Sequence, residues 1–320
     1  MVIIDAHSHI GQDFLFGNSD LSEYVEMCKR NGITQGTLMP QPNACYVIKG
    51  KLVPCVKWFY EGQGKISYKT YDGINKNPYK YLNYYFYNEC RKVEDIHIDF
   101  VPLIHPILDD EDYIQELVRN TKPVALKIHG IGSGVEPATI PESFISILKK
   151  LDLPIIIHAE FDNRKKTNYD VGKKYIKDVN HPKLWAQFFV DNDLKGLMTH
   201  GGGIDSETLN LIRGNSNIML GIGPDFLLEQ QGYRISEEQK GKGYLEALKE
   251  QMPVEQIVFD LDFNWNKGPD GVNVDEGTIT RIKKVWTNQA DQDRIFSKNI
   301  MKLYQVRLSE IGTEKEDEER

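Results

Sequence analysis

Short runs of apolar residues recur along the chain, and several of them end in histidine or aspartate. The runs with these polar ends span residues 2–9, 125–129, 154–158, 196–200 and 257–262. Continuous apolar runs of this length are typical of parallel strands that are buried on both faces. The segments between them include amphipathic patterns typical of helices, as at residues 21–31 and 183–192. This alternation predicts βα units around a parallel sheet.

The apolar runs predict eight strands, which favours a closed (β/α)8 TIM barrel forming a single domain over residues 1–308. We expect the strands at residues 2–6, 36–39, 100–104, 124–128, 155–157, 197–199, 218–220 and 256–261. We expect helices at residues 21–31, 141–150 and 183–192. In such a barrel all strands open onto one face at their C-terminal ends. The polar residues that end the runs are therefore predicted to meet on that face.

A long segment interrupts this alternation after the second strand, at about residues 40–78. It is too long for an ordinary βα loop, and its alternating residues and glycines predict short hairpin strands. Its aromatic residues include Trp58, Phe59, Tyr60, Tyr68 and Tyr71. Two interpretations stay open: a hairpin lid over the site, or a structural insertion that packs its own aromatic residues. Residues 225–243 are expected to cover the same mouth, and residues 309–320 are expected to form a charged tail.

Composition narrows the class of protein. The chain has 320 residues, 40% of them hydrophobic, which suits one large α/β barrel or two smaller domains. Its formal net charge of −8 disfavours nucleic-acid binding. The charge is compatible with a small-molecule substrate, including an anionic one. The four cysteines form no CxxC pair and are expected to be reduced thiols. With neither a signal-peptide pattern nor an apolar run of roughly 18 residues, we expect a cytoplasmic protein without membrane contact. A homo-oligomer stays open.

The histidines and the final aspartate have the chemistry of metal ligands. His7 and His9 are two residues apart at the end of a strand, so both rings are predicted to lie on the same face. His158, His200 and Asp262 end three further strands. Imidazoles and a carboxylate are common ligands of zinc. The pattern therefore predicts a site for a divalent ion at the mouth of the barrel.

The order of these residues resembles the amidohydrolase superfamily, and more narrowly the amidohydrolase-related group that includes aminocarboxymuconate-semialdehyde decarboxylase. The resemblance lies in the stretches at residues 4–9, 126–129, 199–202 and 294–304, and spans about residues 1–308. One position departs from the group. Asp260 stands where the group usually has glycine, and this aspartate is expected to alter the floor of the site.

The resemblance implies roles for individual residues. His7, His9, His158 and Asp262 would hold one metal ion, with Zn²⁺ as the first candidate and Mn²⁺ as the second. His200 would orient the attacking water or polarise the substrate oxygen. Asp262 would also move the proton from that water to the leaving group.

Four further residues are candidates without a settled role. Lys127 could be a carbamate that bridges two ions, a charge partner of Asp260 or of the substrate, or part of a salt bridge inside the barrel. His129 could bind substrate or metal. His105 and Arg164 are candidates for substrate binding, since a guanidinium suits a carboxylate.

Three functions remain open at this point. The first is a metal-dependent hydrolase that cleaves an amide, lactone or ester bond of a small molecule, carboxylated ones included. The second is a non-oxidative decarboxylase or hydratase on the same scaffold. The third is a non-catalytic binding protein.

Overall fold

The computed structural model of the chain describes residues 1–14, 17–62, 65–74, 76–159, 179–223, 243–263 and 275–305. The strands, in chain order, are β1 (Ile4–Asp13), β2 (Gly17–Ser19), β3 (Gln35–Pro40), β4 (Cys45–Ile48), β5 (Lys51–Pro54), β6 (Val56–Gly62), β7 (Lys65–Thr70), β8 (His97–Phe100), β9 (Leu126–Ile128), β10 (Ile155–Ile157), β11 (Gly196–Met198), β12 (Ile218–Ile222) and β13 (Ile257–Phe259). The α-helices are α1 (Leu21–Asn31), α2 (Lys80–Cys90), α3 (Glu111–Thr121), α4 (Gly130–Ser133), α5 (Glu142–Leu151), α6 (Pro182–Asn192), α7 (Ser206–Ile212), α8 (Tyr244–Gln251), α9 (Asp275–Val285), α10 (Gln289–Asp293) and α11 (Asn299–Tyr304).

The predicted strands lie parallel to one another in two sheets. One sheet has β1, β3 and β8 in that order, with β2 antiparallel to the end of β1, and the other has β9 to β13 in order. At one border Leu103 pairs in parallel with Lys127, whose N–H donates to the carbonyl of Pro102 over 2.9 Å. At the other border Asp262 N–H donates to the carbonyl of His7 over 2.9 Å. The protein is therefore an α/β fold in which the two sheets adjoin along both borders.

The strands β9 to β13 are buried on both faces, as their continuous apolar runs predict, whereas β8 is mostly half-buried. One cluster of buried side chains draws a member from each of the eight parallel strands or the residue beside it: Ile4, Met39, Val101, Ala125, Ile156, Leu197, Met219 and Val258. Ile300, Met301 and Leu303 of α11 belong to the same cluster. The opposite strand faces, such as Ile155 and Ile157 of β10, pack with helix residues such as Phe189 of α6. The core thus has an inner set enclosed by strands and an outer set under the helices.

Local signals set several helix boundaries. The Asp20 side chain accepts hydrogen bonds from the backbone N–H groups of Ser22 and Glu23, which caps the first turn of α1. Gly32 ends the same helix in the left-handed conformation with φ of 67°. The helix therefore has the limits predicted from its sequence. Within the described residues, no helix combines the length and the apolar character needed to cross a membrane.

The predicted third strand is placed too late. The sequence interpretation puts it at residues 100–104, whereas β8 covers His97–Phe100 and pairs with β3 from Gln35 onwards. His97 and Asp99 are polar, so they hide the strand from a search for apolar runs. The first strand is also longer than predicted, because β1 continues to Asp13 by pairing with β3 and β2.

The long segment after β3 forms two antiparallel hairpins, β4–β5 and β6–β7. Trp58 of β6 is fully buried, and its indole Nε1–H donates to the carbonyl of Ile131 in α4 over 2.7 Å. Tyr68 of β7 donates to the carbonyl of Gly134 over 3.3 Å. The second hairpin is therefore fastened to the segment that follows β9. Residues 225–242 and 306–320, which include most of the predicted second loop and the charged tail, lie outside the described residues.

Candidate metal centre

His7 and His9 lie together near the middle of β1, where the strand passes the end of β13. Their ring centroids are 4.6 Å apart and the rings are nearly perpendicular. Both side chains are buried. The expectation that the two rings share a face of the strand fits this arrangement.

Asp262 completes a buried cluster with these two histidines. Its Oδ1 atom lies 3.7 Å from His7 Nδ1 and 3.9 Å from His9 Nε2. One ligand atom from each residue falls within a group no wider than 4.8 Å. Two ligand atoms that each lie about 2.1 Å from a tetrahedrally coordinated ion are separated by about 3.4 Å. The cluster is thus close to the size that one divalent ion needs.

The hydrogen bonds of the two imidazoles also fit a metal. His9 Nδ1 lies 3.0 Å from the carbonyl of Pro40, which can only accept, so Nδ1 carries the proton and Nε2 presents a lone pair. His7 Nδ1 is buried and has no hydrogen-bond partner in the described part of the chain. Burial, followed by the charge of Lys127, holds the pKa of both histidines well below the usual value. Neutral imidazoles are the form that binds metal.

The backbone is strained at two of the strand ends. Asp262 has φ of 46° and His200 has φ of 58°, both in the left-handed region that non-glycine residues seldom adopt. Gly201, Gly202 and Gly203 continue that conformation with φ of 59°, 58° and 67°. Strain of this kind is found at functional sites, where the surrounding structure maintains it.

His200 and His158 extend the cluster away from β1. His200 Nε2 lies 3.8 Å from Asp262 Oδ2 and 2.8 Å from His158 Nδ1. The rings of His158 and His129 are 4.6 Å apart at an angle of 30°. His158 stands outside the compact group of His7, His9 and Asp262 and is joined to it through His200. The structure therefore brings together all five strand ends singled out in the sequence.

Lys127 lies against the centre with its side chain fully buried. Its Nζ is 3.1 Å from His7 Nε2. Burial lowers the pKa of Lys127 to about 7, while the charges of Asp262 and Asp260 raise it. Burial also raises the pKa of Asp260 well above its usual value, and repulsion from Asp262 adds to this. The charges of Lys127, Asp260 and Asp262 thus influence one another's protonation, and the charge of Lys127 also acts on His7.

Asp5 is a member of the site that the sequence interpretation missed. Its carboxylate accepts hydrogen bonds from His7 N over 3.2 Å, Leu261 N over 2.8 Å, Ser8 Oγ over 2.6 Å and Tyr24 Oη over 2.7 Å. Burial raises the pKa of Asp5 to about 6, and these hydrogen bonds oppose the rise. The carboxylate joins the strand that carries His7 to the segment that carries Asp262. The sequence signal that could have identified Asp5 is an acidic residue inside an apolar run.

His105 lies beside the second hairpin. His105 is fully buried, its Nδ1 accepts from the backbone N–H groups of Ile107 and Leu108, and its ring packs edge-on against Tyr68 at 5.0 Å. Burial lowers the pKa of His105 to about 3. Its ring contacts Tyr68 of the second hairpin and Tyr79 at the start of α2, and within the described residues no ring contact joins it to the histidine cluster. Arg164 lies outside the described residues.

Comparison with known proteins finds solved structures of similar fold. No family model matches the chain, and no curated protein matches it by sequence. A probable 2-pyrone-4,6-dicarboxylic acid hydrolase from Acinetobacter baumannii, solved with citric acid bound, aligns with a TM-score of 0.57 and 14% identity over 95% of this chain and 100% of that one. An amidohydrolase from Burkholderia multivorans with bound zinc aligns with a TM-score of 0.58 and 11% identity over 96% and 100%.

A third structure, enamidase, is described as a new member of the amidohydrolase superfamily. It aligns with a TM-score of 0.54 and 12% identity over 95% of this chain and 67% of that one. The chain therefore shares the fold of these three amidohydrolase-type proteins. The resemblance read from the sequence motifs is thereby confirmed for the fold. In this fold His129, His158 and His200 follow the ends of β9, β10 and β11, while His7 and His9 lie within β1.

Proposed function

We propose that this protein is a metal-dependent hydrolase that cleaves an amide, lactone or ester bond of a small molecule, carboxylated ones included. The observation that carries the proposal is the convergence of His7 Nδ1, His9 Nε2 and Asp262 Oδ1 in one buried group. His7 and Asp262 are 255 positions apart in the chain, so only the fold brings them together.

The scaffold of this hydrolase is proposed to be a closed (β/α)8 barrel. Two observations support closure. The sheets adjoin at both borders, through Lys127 and through Asp262. The inner cluster includes at least one residue that lies in, or directly beside, each of the eight parallel strands. The barrel form places the histidine cluster at the C-terminal mouth, where the substrates of such enzymes bind.

The metal site is proposed to use His7, His9 and Asp262, with His158 as the fourth ligand. Zinc is the first candidate, since the donor set suits it and the Burkholderia amidohydrolase has bound zinc, and manganese is the second. One ion is expected, or two if Lys127 is carbamylated. When bound, a divalent ion lowers the pKa of a coordinated water toward about 7 and so supplies a nucleophile at neutral pH.

The chain's own residues then move and stabilise charge. Asp262 accepts the proton of the attacking water and delivers it to the leaving group. His200, 3.8 Å from Asp262 Oδ2, orients the water or polarises the substrate oxygen. The 2.8 Å hydrogen bond between His200 Nε2 and His158 Nδ1 holds the His200 ring in place for that role.

Metal analysis of purified variants tests the proposal. The wild type is expected to hold close to one divalent ion per chain, and His9→Ala is expected to lose it because one ligand is removed. His97→Ala is the matched control, since His97 is a partly exposed histidine whose ring pairs with Asp99. Equal metal content in His9→Ala and wild type would contradict the site.

Isotope tracing separates hydrolysis and hydration, which both add solvent oxygen, from decarboxylation, and the cleaved bond of the substrate separates hydrolysis from hydration. A screen of amides, lactones and esters in water enriched in heavy oxygen is expected to place solvent oxygen in the product. Release of carbon dioxide without solvent oxygen in the product would contradict the hydrolase function and support a decarboxylase. An inert, metal-free protein would support the binding-protein alternative.

A further inference from the structure

His129 is held in a single tautomer by the backbone. It directly precedes α4, and its Nδ1 atom accepts a hydrogen bond from the backbone N–H of Gly132 over 3.1 Å. A backbone N–H can only donate, so Nδ1 carries no proton. In the neutral ring the proton is therefore on Nε2, and Nε2–H is the hydrogen-bond donor of this side chain.

The segment that supplies this N–H is held from two sides. Asn180 Oδ1 accepts from the N–H of Ile131 over 3.2 Å, and Trp58 Nε1–H donates to the carbonyl of the same residue over 2.7 Å. Gly134, with φ of 65°, lies so close to the Trp58 ring that an added Cβ would come within 2.4 Å of it. The second hairpin thus acts as a fixed wall against α4, and Gly132 N–H has little freedom to turn away from His129.

The ring of His129 belongs to the histidine cluster. It lies 4.6 Å from the ring of His158, which is hydrogen-bonded to His200. His129 is 3% exposed, so a group that it binds must come from the interior of the site.

The tautomers divide the rings of this cluster into two kinds. His9 donates through Nδ1 to the carbonyl of Pro40 and has its Nε2 lone pair available to a metal. His129 is the reverse, because its Nδ1 lone pair is used by Gly132 N–H and its Nε2 carries the proton. A histidine in this second state has no nitrogen lone pair to give to an ion.

We propose that His129 takes no part in metal binding and instead donates Nε2–H to an oxygen atom of the substrate, a carbonyl or a carboxylate. The substrate part of this proposal rests on the proposed hydrolase function, whereas the tautomer rests on the fold alone. Trp58 is a positioning residue for this donor, since it holds the segment that carries Gly132.

Nitrogen-15 NMR of the histidine rings in the full-length protein tests the tautomer. The His129 signals are assigned by their loss in His129→Gln. We expect a non-protonated Nδ1 and a protonated Nε2 at His129, both unchanged when zinc is added, while the His9 Nε2 signal moves to the metal-bound range. Loss of the His129 Nε2 proton on zinc addition would overturn the proposal.

Metal content and acetate binding test the two roles separately. His129→Gln and His129→Ala are expected to keep the zinc content of wild type, in contrast to His9→Ala. In the zinc-loaded protein we expect added acetate to shift the His129 Nε2–H signal, and an unmoved signal at the highest acetate concentration would overturn the donor role. A protein that binds no zinc would contradict the hydrolase function, and the tautomer measurement would still decide the state of His129.

The positioning role of Trp58 has its own readout. Trp58→Phe keeps an aromatic ring but removes the indole N–H, and it is expected to give a mixture of His129 tautomers. Trp286→Phe is the control, since Trp286 is a buried indole in the core under the helices. An unmixed tautomer in Trp58→Phe would show that the hairpin does not position His129.

Discussion

Replacing Asp5 is expected to destabilise the fold and the candidate metal centre together. The carboxylate accepts four hydrogen bonds, two of them from the backbone N–H groups of His7 and Leu261. The other two donors, Ser8 and Tyr24, are hydroxyls that can rotate toward other partners. The two N–H groups are fixed by the backbone and buried, so they lose their partner when the side chain is removed.

The magnitude follows from comparing two neutral substitutions. Asp5→Asn keeps an oxygen that can accept from both N–H groups, whereas Asp5→Ala leaves both without an acceptor. Each unsatisfied buried N–H costs about 1–3 kcal/mol, so the alanine variant is expected to be less stable than the asparagine variant by about 4 kcal/mol. Because both variants lack the charge, the high pKa of about 6 for Asp5 does not enter the difference.

Urea unfolding of wild type and both variants at pH 7 measures this difference, and zinc titration measures the effect on the site. We expect zinc affinity to fall in the order wild type, Asp5→Asn, Asp5→Ala, because Asp5 holds the segments of His7 and Asp262 together. Equal unfolding free energies for the two variants, within about 0.5 kcal/mol, would refute the assignment of Asp5 as the acceptor for both strands.

Two further predictions concern buried carboxylates. Burial raises the pKa of Asp109 from 3.8 to about 8. Between pH 4 and pH 8 the folded chain therefore keeps a proton on this carboxyl group that the unfolded chain has lost. Within this range, the Asp109 carboxyl group lowers the free energy of unfolding by about 1.4 kcal/mol for each unit by which the pH rises. Asp109→Asn, which retains an acceptor for His105 N–H, should remove that slope in unfolding curves taken across this range, and an unchanged slope would count against it. Gly221→Ala would place a Cβ atom 2.0 Å from a carboxylate oxygen of Asp260, and it is expected to lower the free energy of unfolding by about 1–3 kcal/mol. In the control Gly277→Ala the added Cβ meets nothing within 4 Å, so this variant should be neutral or stabilising. Equal melting temperatures for the two variants would contradict the close contact at Gly221.

The sequence predicts the fold class and the ligand candidates because their signals are local. Continuous apolar runs are typical of parallel strands that are buried on both faces. His7, His9, His158, His200 and Asp262 each follow or end such a run. The same local reasoning fails at β8, because this strand contains polar residues and forms through its pairing with β3, which is distant in the sequence.

Other features of the site depend on contacts between distant residues. Asp5 is an ordinary acidic residue in the sequence. It joins β1 to the segment after β13 only because Leu261, 256 positions away, donates its N–H to the Asp5 carboxylate. The sequence does not decide whether His129 binds metal or substrate, since it does not show which nitrogen of the imidazole carries the proton.

The sequence by itself therefore determined which residues could bind a metal, and the tertiary structure decided which nitrogen of each ring is available. The reason is physical: residue type sets the chemistry of a side chain, whereas the proton on an imidazole is placed by the carbonyl or N–H that the fold puts beside it. Pro40 beside His9 and Gly132 beside His129 make that choice in opposite directions.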